Sequence, residues 1–371
     1  MMRFVDNYDF AILFSAVAIC CFLIVLTNYL PRLAGRPQDL DAVQSAHERL
    51  TPRVGGIAVF GALATMSAFM PETLAVGWAK FVPSVGVLFL ISLMEDLGYH
   101  VSPKGRLAAA GLASLMFILM TGVWLPRVDI PLLDDYLPLW IVGVPITLFV
   151  TAGAANGFNL IDGVNGLAGV TGFACAVALA AIAWQGEFIE MTHLATMLAA
   201  GILGFLLLNY PFGLLFLGDA GAYTIGFVLS WFGISILLNV PDASAWAILL
   251  TLFWPVADTL LAILRRVQRK APSFHPDRLH GHQLVMRCLE ILWLGRNRRN
   301  VANPLTTLIL LPAVIAPVCV GVILWDAPLA AFSAFATFLG LFFASYTLAF
   351  KLHPKQRRRN GSGRSSSLGL N

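Results

Sequence analysis

Residues 10–30 read FAILFSAVAICCFLIVLTNYL, twenty-one consecutive positions without a charged side chain. A helix needs roughly 20 apolar residues to cross the hydrocarbon core of a bilayer. This run is too long for the core of a signal peptide, and it lacks a basic flank and a small-residue cleavage site. It reads as a retained membrane span. Working outward, comparable runs recur near 54–70, 81–95, 106–125, 137–155, 164–184, 192–208, 214–238, 244–264, 304–325 and 329–350. The fold class expected is therefore all-α and polytopic, with about eleven transmembrane helices. The run at 81–95 is short and would be tilted or extended at either end. Composition agrees: of 371 residues, 58% are hydrophobic and 12% charged, with a mean hydropathy of +0.79. A water-soluble domain carries about 25% charged residues. Half that charge leaves too little polar surface for a globule in water.

Lys and Arg placement sets the orientation expected, because basic residues accumulate in cytoplasmic loops. With the N-terminus outside and the C-terminus cytoplasmic, the inner segments are 31–53, 96–105, 156–163, 209–213, 265–303 and the tail from 351. Of the 24 basic residues, 21 lie on or beside these inner segments, and only Arg3, Lys80 and Arg127 fall outside. Ten of the 20 acids, among them Asp129, Asp134, Asp135, Glu187 and Glu190, fall on the outer side. The expected organisation is a single transmembrane catalytic domain over 1–350 and a basic, disordered cytoplasmic tail over 351–371. That tail suits attraction to anionic lipid. The five cysteines show no metal-ligand or disulfide spacing. No internal repeat appears, and no nucleic-acid partner is expected.

Five polar clusters stand at the ends of spans, all on the inner side of this topology. The first is Arg53-Val54-Gly55-Gly56. Paired glycines at a helix start let backbone N–H groups approach an anion, and Arg53 would add a phosphate contact; a plain Pro/Gly turn is the alternative. The second is Glu95-Asp96 followed by Ser102-Pro103-Lys104-Gly105-Arg106. Neighbouring carboxylates at a membrane boundary are costly unless a cation is close, although hydrated loop charges would look the same. The third holds Asn156, Asn159 and Asp162 at three-residue spacing, then Gly163, Asn165 and Gly166. That spacing turns the polar groups one way on a helix, and packing alone does not explain it. In the fourth, Phe216-Leu217-Gly218-Asp219-Ala220-Gly221 with Asn209 upstream, Asp219 is either an N-cap or a ligand for a hard cation such as Mg²⁺. The fifth is the loop containing His275, Arg278, His280 and His282. With no cysteine near, it fits phosphate contacts better than zinc. Asp258, an acid inside a span, is either functional or paired with Arg265 or Arg266.

Acids, amides, histidines and arginines gathered at one membrane face suit a polyphosphate substrate arriving from the cytosol. Phosphoryl transfer needs positioning and neutralisation of negative charge. A transporter would place its polar groups near mid-membrane instead.

The segments PRVGG (52–56), EDLGYHVSPKGRL (95–107), NGFNLIDGVNGLAG (156–169), FLGDAG (216–221), PVADTL (255–260) and HPDRLHGHQ (275–283), in this order, resemble the polyprenyl-phosphate N-acetylhexosamine-1-phosphate transferases. That superfamily includes the phospho-N-acetylmuramoyl-pentapeptide transferase, and the likeness is closer to the branch that starts surface glycans such as O-antigen. The resemblance implies a bacterial cytoplasmic (inner) membrane enzyme with its active site facing the cytoplasm. It would transfer a sugar 1-phosphate from a UDP-N-acetylhexosamine to undecaprenyl phosphate with Mg²⁺, or Mn²⁺ as a substitute, and a homodimer is compatible with it. It implies Asp219 as metal ligand and Glu95, Asp96, Asp162, His280 and His282 as catalytic. Arg53, Gly55, Gly56, Lys104, Asn156, Asn159, Asn165, Asn209, Phe216 (stacking on uracil) and Arg278 would bind substrate. Glu95 stands where most members have Asp, and Asn165 where many have a second Asp. Those departures leave an inactive, UDP-sugar-binding relative as one rival reading. A lipid-linked sugar transporter is the other.

Overall fold

The computed structural model describes residues 7–30, 33, 51–269, 280–295 and 298–351. Arg278, His275 and the tail beyond 351 lie outside the described residues. The described chain runs α1 (Asn7–Thr27), α2 (Gly55–Met66), α3 (Glu72–Asp96), α4 (Pro103–Thr121), α5 (Trp140–Ile161), α6 (Leu167–Gln185), α7 (Ile189–Asn209) and α8 (Gly218–Asn239). It continues with α9 (Ala245–Thr251), α10 (Phe253–Arg269), α11 (Gly281–Leu289), α12 (Arg299–Ile323) and α13 (Pro328–Lys351).

Nine described helices are long and apolar enough to cross a membrane. This is a multi-pass membrane protein. Two of the eleven positions expected from sequence differ from simple spans. The run at 54–70 is a shorter apolar helix, Gly55–Phe69 with its final 3₁₀ turn. The run at 244–264 is a broken helix, with α9 and α10 meeting at an 85° bend. Hydropathy sees only the continuous apolar run. The break falls at Leu252, just ahead of Pro255, which sits in the first turn of α10 where proline needs no N–H. Irregular backbone at membrane depth is tolerated where protein surrounds it; here α5, α12 and α13 pack against α10.

The bundle is organised around α8. Of its membrane window, 89% is buried, against 11% for α13 at the periphery, and α2, α3, α5, α6 and α7 all pack on it. Lipid gives helices no hydrophobic reason to associate, so close packing of small residues does the work. A Cβ on Gly56 would come within 2.3 Å of the Gly221 backbone nitrogen, and one on Gly226 within 2.5 Å of the Ala154 carbonyl oxygen. Larger side chains there would push α2 and α5 off α8.

The end of the bundle opposite the inner clusters is closed by Arg127. Its guanidinium donates to the carbonyls of Leu237 at 2.8 Å, Val240 at 3.1 Å and Pro241 at 2.8 Å, and also to that of Ala243. These are C-terminal carbonyls of α8 and of the turn after it, where a cation is favourable. Asp129 pairs with Arg127 at 3.4 Å and accepts the N–H of Ala245, the first residue of α9, at 2.7 Å.

Candidate active site

The site forms where α8 begins. Gly218 takes a left-handed φ of +71°, and a Cβ there would meet the Arg53 carbonyl at 2.4 Å and the Asp96 carboxylate at 2.7 Å. Only glycine lets the chain turn into α8 under that roof. The first N–H groups of a helix lack intrahelical partners and carry partial positive charge. Here carboxylates from other helices take them. Asp96, at the end of α3, accepts Asp219 N–H at 3.0 Å and Ala220 N–H at 2.8 Å. Asp162, at the end of α5, accepts the N–H of Gly218. Three acids therefore meet at one helix start.

Two arginines balance them. Arg53 stands 3.3 Å from Asp219 Oδ1 and 3.8 Å from Asp96 Oδ1. Arg106, on the first turns of α4, contacts Asp219 Oδ2 and lies over the Tyr223 ring, 5.9 Å from its centroid. Tyr223 donates in turn to Asn156 Oδ1 at 3.2 Å. Desolvation pushes Asp162 up to about 7, against the pull of Arg53 and the Gly218 amide. Glu95 and Asn159 are half-buried, and Lys104 is exposed.

The histidines join from α10 and α11. His280 Nδ1 is 2.6 Å from Asp258 Oδ2, and both side chains are buried. Asp258 thus pairs with His280, while Arg265 donates to the Tyr346 hydroxyl at 3.0 Å; the pairing with Arg265 or Arg266 offered by sequence is corrected. His282 stacks on His280, 5.9 Å between centroids. Its Nε2 sits against Gly163, where a Cβ would come within 2.2 Å. Among the described residues neither ring nitrogen of His282 has a hydrogen-bond partner, and desolvation, with His280 adding to it and Asp258 opposing, depresses its pKa to about 4. A buried, unsatisfied imidazole is costly, so its position points to a ligand.

Four residues expected to contact substrate, Gly55, Gly56, Asn165 and Asn209, make hydrogen bonds within the framework. The N–H groups of Gly55 and Gly56 donate to Phe216 O and Leu217 O, each at 2.8 Å, so they are spent on chain pairing and not directed at an anion. The Asn209 amide accepts Gly166 N–H at 2.7 Å and donates to Leu215 O at 2.8 Å. Asn165 donates to Pro211 O at 2.9 Å, its N–H goes to Asn303 Oδ1 at 2.6 Å, and its carbonyl accepts from Thr307 at 2.6 Å. Phe216 is half-buried, its backbone paired with Pro52 and Gly55. Conversely, Arg106 and Tyr223 were not singled out from sequence. Arg106 had a signal, being the second cation in SPKGR, two positions past Lys104. Tyr223 had none, since a tyrosine in an apolar span reads as core.

For a divalent cation the fit lies in donor chemistry. Asp219, with Asp162 beside the same helix start, offers hard oxygen donors of the kind Mg²⁺ takes. Among the described residues no three His, Cys, Asp or Glu side chains form a ligand cluster. Mg²⁺ commonly uses one or two carboxylates and completes its shell with substrate phosphates, so this donor set suits it.

Fold and site define a multi-pass membrane protein that gathers acids, arginines and histidines at one end of its bundle. Residues 78–237 match the model of glycosyl transferase family 4. An Escherichia coli (strain K12) relative, the undecaprenyl-phosphate alpha-N-acetylglucosaminyl 1-phosphate transferase, is 30% identical over 267 residues, covering 67% of this chain and 69% of its own. A Bacillus subtilis (strain 168) relative, named a probable undecaprenyl-phosphate N-acetylglucosaminyl 1-phosphate transferase, is 27% identical over 71% of this chain and 74% of its own. The Yersinia pestis protein with the same name as that of E. coli is 29% identical over 67% and 69%. The chain belongs to glycosyl transferase family 4, in the superfamily its motifs resemble.

Proposed function

We propose that this protein transfers an N-acetylhexosamine 1-phosphate, N-acetylglucosamine 1-phosphate first among candidates, from its UDP-sugar to undecaprenyl phosphate. An oxygen of the lipid phosphate forms a bond to the sugar-linked phosphorus. The bond from that phosphorus to the bridging oxygen breaks, and UMP leaves. The observation that carries this reading is the meeting of residues from all six motifs at the start of α8 and at the adjoining histidines. The relatives' names support the transferase class and the acceptor.

In this reading Arg53 and Arg106 turn from Asp219 toward the diphosphate, supplying guanidinium forks that suit phosphate oxygens. Asp96 holds the first turn of α8, and so Asp219, through its two backbone bonds; it acts by position and not as a free base. A phosphate monoester is already largely ionised near neutral pH, its second pKa being about 6, so the attacking oxygen needs no strong base. His282, buried with no hydrogen-bond partner among the described residues, and His280 meet the phosphates from the other side of Gly163. Mg²⁺, when bound at Asp219, would offset charge developing on the phosphoryl oxygens. In this reading this end of the bundle faces the cytoplasm of a bacterial inner membrane, an orientation that the basic loops support.

The test is UMP release by purified enzyme in detergent with undecaprenyl phosphate, a divalent cation and a panel of UDP-N-acetylhexosamines. Release that requires both lipid and metal is expected, and the fastest donor names the sugar. UDP-sugar binding without release from any donor would overturn the reading.

A further inference from the structure

Asp258 is the one buried acid near the site to which the proposed chemistry gives no task. It lies on α10, the second half of the broken span, and is 1% exposed. Both its oxygens are committed to one junction. Oδ2 faces His280 Nδ1 at 2.6 Å, and Oδ1 accepts the Gly281 N–H at 3.1 Å. His280 occupies the N-cap position of α11, yet its side chain makes no capping bond. Asp258 supplies that bond from a different helix and holds the histidine ring with its other oxygen. Two bonds to adjacent residues fix both the place and the rotation of the imidazole.

We infer that Asp258 is the positioning residue for His280, holding its proton on Nδ1 so that Nε2 accepts the second proton that part of the lipid phosphate still carries. The inference rests on the transferase reading above. A carboxylate already accepting a backbone N–H with one oxygen acts as an acceptor with the other, so the imidazole nitrogen it faces carries hydrogen. The second ring nitrogen is then the one left for substrate, and Nε2 makes no hydrogen bond among the described residues. The ring, 5% exposed, stacks at 13° on His282, whose own Nε2 lies against Gly163 beside Asp162. The two rings therefore form parallel plates, one anchored by a span and the other abutting the glycine after Asp162. Among the described residues Asp258 and His282 are the titratable groups that face His280.

The experiment compares full-length wild type with Asp258→Asn and Asp258→Glu. Asparagine keeps the volume and an acceptor for Gly281, but its amide donates to Nδ1 and moves the ring proton to Nε2. Steady-state UMP release is measured across pH, and ring ¹⁵N shifts of histidine-labelled protein report the tautomer, with His280→Gln assigning the signal. Asp258→Asn is expected to lower kcat by about 10-fold or more, the cost of misplacing a group beside the reacting atoms, with KM for the UDP-sugar within about threefold. The His280 signal should change from the Nδ1–H to the Nε2–H pattern, and Asp258→Glu should recover part of kcat. An unchanged tautomer, or kcat within about threefold of wild type, overturns the inference. So does a kcat loss that only tracks a lower folded fraction. If wild type releases no UMP, the transferase reading fails, and the nitrogen spectra alone still decide whether Asp258 sets the tautomer.

Discussion

At the residue scale the site joins groups of opposite habit. Asp219 is held by two guanidiniums, whereas His282 is buried with no hydrogen-bond partner among the described residues. Asp219→Ala is expected to cut UMP release at saturating substrate by at least about 10²-fold, the size lost with one electrostatic contributor, while folded protein persists. Wild-type turnover in that variant with excess Mg²⁺ would remove Asp219 from the site. Gly163→Ala places a methyl on the His282 ring, and kcat should fall by about 10-fold or more, because small misplacements near reacting atoms are costly. His282 also sets a pH dependence. Burial pushes its pKa down to about 4 from the ordinary 6.5, so the unfolded chain binds the extra proton between those values. Its contribution to stability is complete above pH 6.5 and is lost as pH falls toward 4. Asp162, pushed up to about 7, biases stability the opposite way, so the comparison must be differential. Thermal unfolding between pH 7 and 4 should show wild type losing more Tm than His282→Asn; equal losses would refute the depressed histidine.

At the element scale, the helix ends carry most of what sequence left open. Acids borrowed from other helices cap α8 and α11, and no local pattern announces such a cap, because Asp96 precedes Asp219 by more than a hundred residues. The same blindness hides the framework bonds of Asn165 and Asn209. An amide near a glycine turn looks alike whether it holds a substrate or a neighbouring backbone. The apolar runs located nearly every helix, but a broken span and a straight one share one hydropathy trace. Arg127 gives the element-scale prediction. It was an exception to the charge rule in sequence and is a clamp in the structure. Arg127→Ala strips bonds from several carbonyls and should destabilise by about 2–4 kcal/mol, given 1.5–3 for a charged hydrogen bond, while kcat per folded molecule holds. Scanning calorimetry with an activity assay on the folded fraction checks both halves; a fall in kcat with unchanged Tm would contradict the clamp.

For the whole molecule, the polytopic helical architecture and the gathering of motifs at one end were legible in sequence, because apolar length and glycine-flanked polar runs survive any packing detail, whereas two of the eleven expected spans are a short helix and a broken one. The meeting of the motifs at α8 was not legible, since it depends on α2, α3, α4 and α5 reaching one helix start. The orientation inferred from basic loops has a direct check. In a background free of native cysteines, Asp135→Cys and Phe212→Cys sit at exposed positions on opposite faces. A membrane-impermeant maleimide should label Asp135→Cys in intact cells and Phe212→Cys only after permeabilisation. The reverse pattern would invert the protein in the membrane.

The pairing of Asp219 with Arg53 and Arg106 also bears on how the protein responds to its medium. A pocket that already contains its own counterions admits a polyphosphate by ion exchange: one anionic partner of the guanidiniums is traded for another, and few ions need leave the surrounding water. Affinity built this way is muted toward ionic strength, unlike that of a bare cationic cleft. The Michaelis constant for the nucleotide sugar should therefore change little as salt is raised, and the cell's shifting osmolarity would leave this step of glycan assembly largely undisturbed.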